Sequence, residues 1–303
     1  VRVLIIGADT PVGLSLVDYL TLRGTEFVGL PKSDCRWKSE RQAKKSLRRA
    51  ESDFVVDARL QAAADGAIRV HDIDIDRSLW LARASQALKQ PFMHLSCARV
   101  FSGVEERPYR EDDYPDAEST IAQLLVAGET AVRDNAERHV ILRMGPVFSP
   151  QGMNVITHML GQLRAGGNLD LKRRQRGCPV ATEDAARVIS GMLDQFNCGL
   201  ESWGIYHYCS SDSTNCYEFA EVLLAAASQY QEFSPGGTEL EVAEETEEQI
   251  ARHLDCSKIR DTFAIKQQPW RASVAGYVKQ YYAETQTREV AGGESYRHSD
   301  ASA

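Results

Sequence analysis

The chain opens Val1-Arg-Val-Leu-Ile-Ile-Gly-Ala-Asp-Thr-Pro-Val-Gly13, and this stretch decides the fold. Five of its first six residues are apolar, as expected of a strand covered on both faces. A glycine-punctuated turn follows, then a helix-period run, Leu14-Ser-Leu-Val-Asp-Tyr-Leu-Thr-Leu-Arg23. Strand, tight turn and helix in that order open a βαβ unit. The N-terminus of such a helix offers backbone N–H groups to a nucleotide pyrophosphate.

Working outward, short apolar runs at 26–30, 53–58, 92–96 and 139–144 read as further strands. Helical stretches at 39–50, 64–88 and 119–137 separate them. Strands alternating with helices predict an α/β fold, a doubly wound parallel sheet covered on both faces. The alternation supports a nucleotide-binding unit over residues 1–145, and the less regular remainder, 146–283, reads as a smaller C-terminal α/β part. In the second part, 154–165, 182–196 and 215–224 read as helices and 204–208 as a strand. The stretch 231–248 reads as an acidic loop, and 254–282 as the last packed segment. Residues 284–303 carry little hydrophobicity and read as a disordered tail.

Composition narrows the function classes. Of 303 residues 43% are hydrophobic and 26% charged, the balance of a globular protein. A net charge of −8 argues against a nucleic-acid partner, which would want a basic surface. The basic patches, Lys44-Lys45-Ser-Leu-Arg48-Arg49 and Lys172-Arg173-Arg174, are short and read as solvated surface. The seven cysteines form no C-x-x-C and the seven histidines no metal-spaced pair. That predicts reduced thiols, no metal and a cytoplasmic location. The opening strand runs straight into the glycine turn, so no signal peptide is expected. No apolar run approaches the ~18 residues of a membrane span, and no membrane partner is expected.

Several motifs stand in order along residues 1–283. Gly7 and Gly13 are the outer glycines of a G-x-x-G-x-x-G loop. Leu95-Ser-Cys-Ala-Arg-Val-Phe-Ser-Gly103 precedes Pro108-Tyr-Arg-Glu-Asp-Asp113, and Val126-Ala-Gly-Glu129 precedes Ile141-Leu-Arg143. Gln175-Arg-Gly-Cys-Pro179, Gly204-Ile-Tyr-His207 and Pro269-Trp-Arg271 follow. Together they resemble the extended short-chain dehydrogenase/reductases. The likeness is to the dTDP-4-dehydrorhamnose reductase group, which also contains the regulatory β subunit of methionine adenosyltransferase. The resemblance implies a Rossmann-type fold, a nicotinamide cofactor and a sugar-nucleotide ligand, with 146–283 a substrate lobe interleaved with the first part.

The resemblance also locates a departure. Enzymes of this family carry a Ser/Thr, Tyr, Lys set, with Tyr and Lys spaced Y-x-x-x-K on one helix face. The phenol protonates the alkoxide left by hydride addition, and the ammonium lowers the phenol's pKa from ~10. Here the three positions are held by Cys97, Ile121 and Leu125. None of the eleven tyrosines has a lysine four residues later. Ile121 and Leu125 read as core residues that cannot donate a proton. Cys97 reads as a buried thiol and His94 as a core histidine.

The cofactor positions implied by the resemblance are Gly7, Thr10, Pro11, Val12, Gly13, Lys32, Asp57, Ala58, Arg59 and Ser96. Thr10 replaces the middle glycine, where it either clashes with a pyrophosphate or donates its hydroxyl to it. Pro11 removes one N–H but is tolerated in a first helical turn. Pro31-Lys32 replaces the acidic residue that binds a ribose 2′-OH, and a lysine there favours NADP(H) over NAD(H). Asp57-Ala-Arg59 stands at the family's N-A-A segment. A carboxylate facing a pyrophosphate is repulsive, and Arg59 either offsets it or binds an anion itself. Arg99, Arg143, Asn154 and Gln175 are the implied residues of the substrate lobe, and Arg99 replaces a family aromatic where it can clamp a phosphate or carboxylate.

Three readings stay open. The leading one is a catalytically degenerate family member that binds a nucleotide or sugar-nucleotide as a sensor, regulatory subunit or scaffold, with a protein partner or a second copy of itself. The second is an NADP-dependent reductase of a nucleotide-4-keto-sugar, a dTDP-4-dehydrorhamnose reductase with a non-standard proton donor. The third is an interaction protein without a ligand.

Overall fold

β1 (Arg2–Ile6) opens the chain in a computed structural model that describes residues 1–64, 69–165, 169–171, 173–232, 240–242 and 250–297. It is followed by α1 (Pro11–Leu22), β2 (Glu26–Leu30), α2 (Glu40–Ala50), β3 (Phe54–Asp57), α3 (Arg59–Ala64), α4 (Asp72–Leu88), β4 (Phe92–Cys97), α5 (Thr120–Arg133) and β5 (His139–Met144). A short β6 (Val147–Phe148) then leads into the lobe: α6 (Val155–Arg164), β7 (Leu169–Leu171), β8 (Gln175–Gly177), β9 (Val180–Ala181) and α7 (Thr182–Asn197). β10 (Gly204–Tyr208), β11 (Thr214–Asn215), α8 (Cys216–Ala227), β12 (Leu240–Val242), β13 (Ile250–Arg252), α9 (Ser257–Phe263) and α10 (Arg271–Arg297) complete the chain.

The main sheet has six parallel strands in the order β10-β5-β4-β3-β1-β2. Side chains of β1 alternate between its faces. Val3 and Ile5 join a core with Leu16 and Leu20 of α1 and Val188, Ile189 and Met192 of α7. Leu4 and Ile6 join a second core with Ala43 and Leu47 of α2 and Leu81 and Ala82 of α4. All four strand side chains are fully buried, each contributing about 1.5–3 kcal/mol to the fold. The fold is thus the α/β Rossmann type, and the strand order turns back between β1 and β3. In such sheets the ligand crevice opens at that reversal, beyond the carboxyl ends of the strands.

β10 returns from the lobe to complete the main sheet beside β5, so the two parts share the chain. The lobe's own core gathers Ile156, Leu160 and Leu163 of α6, Phe219 and Leu223 of α8, and Trp270, Val274, Tyr277 and Val278 near and on α10. Trp270 lies against Phe219 at 5.0 Å between ring centroids, pinning the C-terminal segment to the lobe. β8 pairs with β13 in parallel and with β11 antiparallel, bringing together segments far apart in sequence.

Two expectations change. α10 runs on to Arg297, where sequence composition predicts an unstructured tail from residue 284. Consecutive residues such as Glu284, Thr285 and Gln286 are compatible with helix and extend the packed segment that precedes them. The stretch 231–248 contains a strand, β12, which pairs in parallel with β7. Residues 65–68, 166–168, 172, 233–239, 243–249 and 298–303 lie outside the described residues. No described helix is long and apolar enough to cross a membrane.

Candidate functional site

The glycine loop joins β1 to α1 at the reversal point. Gly7 has φ +79°, a left-handed conformation that favours glycine. Its N–H and that of Ala8 both donate to the Leu30 carbonyl, tying the loop to β2. At Gly13 a side chain has no room, because an ideal Cβ would stand 2.1 Å from the Gly7 carbonyl oxygen.

Thr10 does not clash, since its backbone is extended (φ −82°, ψ 161°). Its hydroxyl donates to the Gly7 carbonyl at 2.7 Å and accepts from the Gly13 N–H at 3.2 Å, so it caps α1. The hydroxyl is therefore spent inside the loop instead of facing a phosphate. The anion-binding capacity of the helix start follows from its donors. The Thr10 N–H donates to Gly7, Pro11 has none, and the Gly13 N–H meets Thr10. Among the described hydrogen bonds, only the Val12 N–H in this first turn is left for a ligand. The backbone path thus fits a dinucleotide, with one first-turn donor.

The Asp57-Ala-Arg59 segment departs from its expected role. Arg59 is 1% exposed, and its Nε and Nη2 grip the two Asp57 carboxylate oxygens, each at 2.8 Å. Nη2 also donates to Ser78. Burial raises the Asp57 carboxyl, but the charge and hydrogen bonds of Arg59, with His94 nearby at 3.7 Å, outweigh it and hold the group below the usual carboxylate range. Neither side chain is available to a pyrophosphate, because each is the other's buried counter-charge. Ala58 is buried beside them. Lys32 donates its backbone N–H to Asp9 at 2.7 Å, and its ammonium meets the Arg69 carbonyl. The end of β2 is thereby joined both to the glycine loop and to the segment before α4.

On α5 the two positions where the resemblance expects an acid–base pair hold apolar side chains packed on the core. Leu125 is 1% exposed within the main core, and Ile121 is half-buried against it. What anchors this helix is Glu129. It accepts from the Ser96 hydroxyl at 2.6 Å and from Arg143 Nε and Nη2 at 3.0 and 2.6 Å. Ser96 and Arg143 are therefore corrected from ligand-facing positions to buried structural ones. Asn154 is corrected likewise: its side chain accepts from the Ile156 N–H at 3.0 Å and donates to the Gln151 carbonyl, capping α6.

A cavity of 390 Å³ lies between the carboxyl end of β4 and the lobe. It collects Cys97, Arg99 and Gln175 of the expected residues, together with Arg176, Asn215 and Arg252. Among the described residues its lining contains no Tyr, Lys, His, Asp or Glu. The neighbouring phenol, Tyr109, is buried and accepts from the Gly103 and Glu105 N–H groups at 3.0 and 3.3 Å while stacking on Phe101. Cys97 closes β4, where its Sγ accepts from the Arg99 N–H at 3.4 Å. Arg252 and Arg176 escape sequence reasoning because β13 and β8 meet across more than seventy residues, with no local motif to announce the pairing. Among the described residues no cluster of His, Cys, Asp and Glu is arranged for a metal ion.

Comparison with known proteins agrees with this geometry. The RmlD substrate binding domain family matches residues 1–283. The dTDP-4-dehydrorhamnose reductase of Sinorhizobium fredii is 27% identical over 295 residues, covering 90% of this chain and 95% of that protein. Among solved structures, a dTDP-4-dehydrorhamnose reductase ortholog from Clostridium acetobutylicum superposes with a TM-score of 0.76 at 18% identity, over 92% of this chain and 99% of that one. The Bacillus anthracis dTDP-4-dehydrorhamnose reductase in complex with NADP gives 0.74 at 17% identity, over 91% and 96%. At such identities the structures attest the fold. The sequence match carries the family: this chain belongs to the RmlD substrate-binding-domain family, within the extended short-chain dehydrogenase/reductases.

Proposed function

We propose that this chain is a catalytically degenerate member of its family, which binds a nicotinamide nucleotide or a sugar-nucleotide as a sensor, regulatory subunit or scaffold. The observation that carries the reading is the lining of the 390 Å³ cavity, which holds no tyrosine or lysine among the described residues. Carbonyl reduction needs a proton donor at the nascent alkoxide. At the family's positions for that donor and its helper stand Ile121 and the buried Leu125. The remaining machinery supports binding. The loop keeps the glycine geometry of a pyrophosphate site, and the Val12 N–H is its first-turn donor. A nicotinamide dinucleotide, when bound, supplies hydride chemistry. Lys32 at the end of β2 favours a 2′-phosphate, hence NADP(H), once its ammonium leaves the Arg69 carbonyl.

The second reading is an NADP-dependent reductase of a nucleotide-4-keto-sugar. One observation favours it: the Cys97 thiol lines the cavity at the position of the family's hydroxyl. Two measurements separate the readings. Titration with NADPH and NADP, followed by fluorescence and thermal shift, is expected to show binding. Incubation of NADPH with a dTDP-4-keto sugar is expected to show no consumption. Enzyme-like turnover would establish the second reading, and no response to any nucleotide would sink both.

A further inference from the structure

Two guanidinium groups line the lobe cavity, and neither is in an ion pair among the described residues. Arg99 comes from the 3₁₀ turn Ala98–Val100 that follows β4, and Arg252 from the end of β13. Arg252 is fixed in place: its Nε donates to the Phe101 carbonyl at 2.7 Å, and its stem runs beside Gly103. An ideal Cβ on Gly103 would come within 3.1 Å of Arg252 Cγ and 2.5 Å of Ile250 Cγ2, so the bare glycine admits β13 at this edge. Arg176, the third arginine of the lining, is already matched by Glu218, with bonds of 2.9 and 3.1 Å. Among the described residues no carboxylate lines the cavity, and no side chain pairs with Arg99. Burial and then the charge of Arg99 depress the Arg252 pKa, which marks the two cations as neighbours.

We infer that Arg99 and Arg252 form an oxyanion subsite beside Cys97, and that the cavity's ligand is a sugar-nucleotide whose sugar carries a carboxylate. The inference rests on the proposed sugar-nucleotide binding. Cys97 holds the position whose hydroxyl, in active relatives, orients the sugar's carbonyl. A group beside Cys97 therefore meets the sugar and not the diphosphate. Guanidinium forks match a carboxylate geometrically, and the two like charges, Arg99 exposed at the cavity mouth and Arg252 half-buried, are relieved when an anion sits between them. A neutral deoxy-sugar leaves both uncompensated.

The test uses the full chain and three probes, UDP, UDP-glucose and UDP-glucuronate, with affinities measured calorimetrically for wild type, R99Q and R252Q. Wild type is expected to bind UDP-glucuronate about tenfold or more tightly than UDP-glucose. Each substitution is expected to bring that ratio near one while leaving UDP affinity unchanged, with folding checked by circular dichroism. Equal affinity of wild type for the two sugars, or a preference that survives both substitutions, overturns the inference. Weakened binding of UDP itself in R99Q and R252Q also overturns it, by assigning the pair to the diphosphate. If no nucleotide binds wild type, the sugar-nucleotide reading fails, and free glucuronate against glucose then tests the subsite alone. Thermal stabilisation by glucuronate that disappears in R99Q supports the anion site, and its absence overturns it.

Discussion

The carbonyl oxygen of Gly7 occupies the space in which a side chain on Gly13 would begin, 2.1 Å from an ideal Cβ. Helix propensity alone would favour alanine at position 13 by about 1 kcal/mol. The clash is with backbone, which cannot step aside, so it decides the sign. Gly13→Ala is expected to lower stability by about 3 kcal/mol, measured by urea denaturation.

Thr10 makes a finer distinction. Its hydroxyl caps α1, and alanine there removes the acceptor for the Gly13 N–H. Thr10→Ala should cost about 1 kcal/mol, whereas Thr10→Gly, which restores the family's middle glycine, should cost a few tenths. Equal losses in a denaturation series would show that the cap contributes nothing.

Placing polar groups at 121 and 125 tests how far α5 depends on its apolar face. Leu125→Lys places an ammonium in the core, where Glu129, one turn along the helix, is already matched by Arg143. A loss of several kcal/mol is expected, with a fall in Tm or insoluble protein. Ile121→Tyr replaces a half-buried side chain and should be tolerated within about 1 kcal/mol. Neither substitution alone should produce NADPH consumption.

His207 gives the chain an acid sensitivity of predictable sign. It is buried, with Nδ1 donating to the Tyr109 carbonyl at 3.1 Å. Burial, then the charge of Arg143, brings its pKa down to about 3. The unfolded chain, with a histidine near pH ~6.5, takes up a proton that the folded chain refuses. Stability is thus fully present above that pH and drains away as pH falls toward 3, by about 1 kcal/mol per unit. His139 and His253 are lowered by burial too, so the contribution of His207 is the difference between wild type and His207→Gln. Denaturation curves at pH ~7.5 and ~5, above most carboxylate titration, should show a shallower loss in the variant.

Thiol chemistry should follow exposure. Cys198 is exposed and Cys216 half-buried, while Cys35, Cys97, Cys178, Cys209 and Cys256 are buried. Burial pushes the Cys35 thiol up to about 12, leaving it uncharged at neutral pH. Ellman's reagent at pH ~8 should label one thiol quickly, a second slowly, and the rest only on unfolding. Rapid labelling of Cys97 through the cavity would instead give weight to the reductase reading.

The sheet was legible because each strand announces itself locally. Val1 to Gly13 carries its apolar run, its turn and its helix within a few residues. Ile121 and Leu125 were likewise legible as core residues, since their spacing places both on one apolar helix face. Side-chain pairing was not legible. Sequence order suggests that Asp57 and Arg59 face a phosphate, but nothing local says that a guanidinium two residues away will fold back on the carboxylate inside the core. Arg252 depends on a parallel pairing between β8 and β13, and Ser96 becomes structural only when Glu129 reaches it from another element. Such contacts are products of the assembled fold.

The junction of Ser96, Glu129 and Arg143 has a further consequence. It fastens α5 to β4 and β5 one to two helical turns beyond positions 121 and 125. The seat of the helix is therefore set at its far end, independently of the side chains at 121 and 125. Those two positions can vary in chemistry while the helix keeps its place on the sheet.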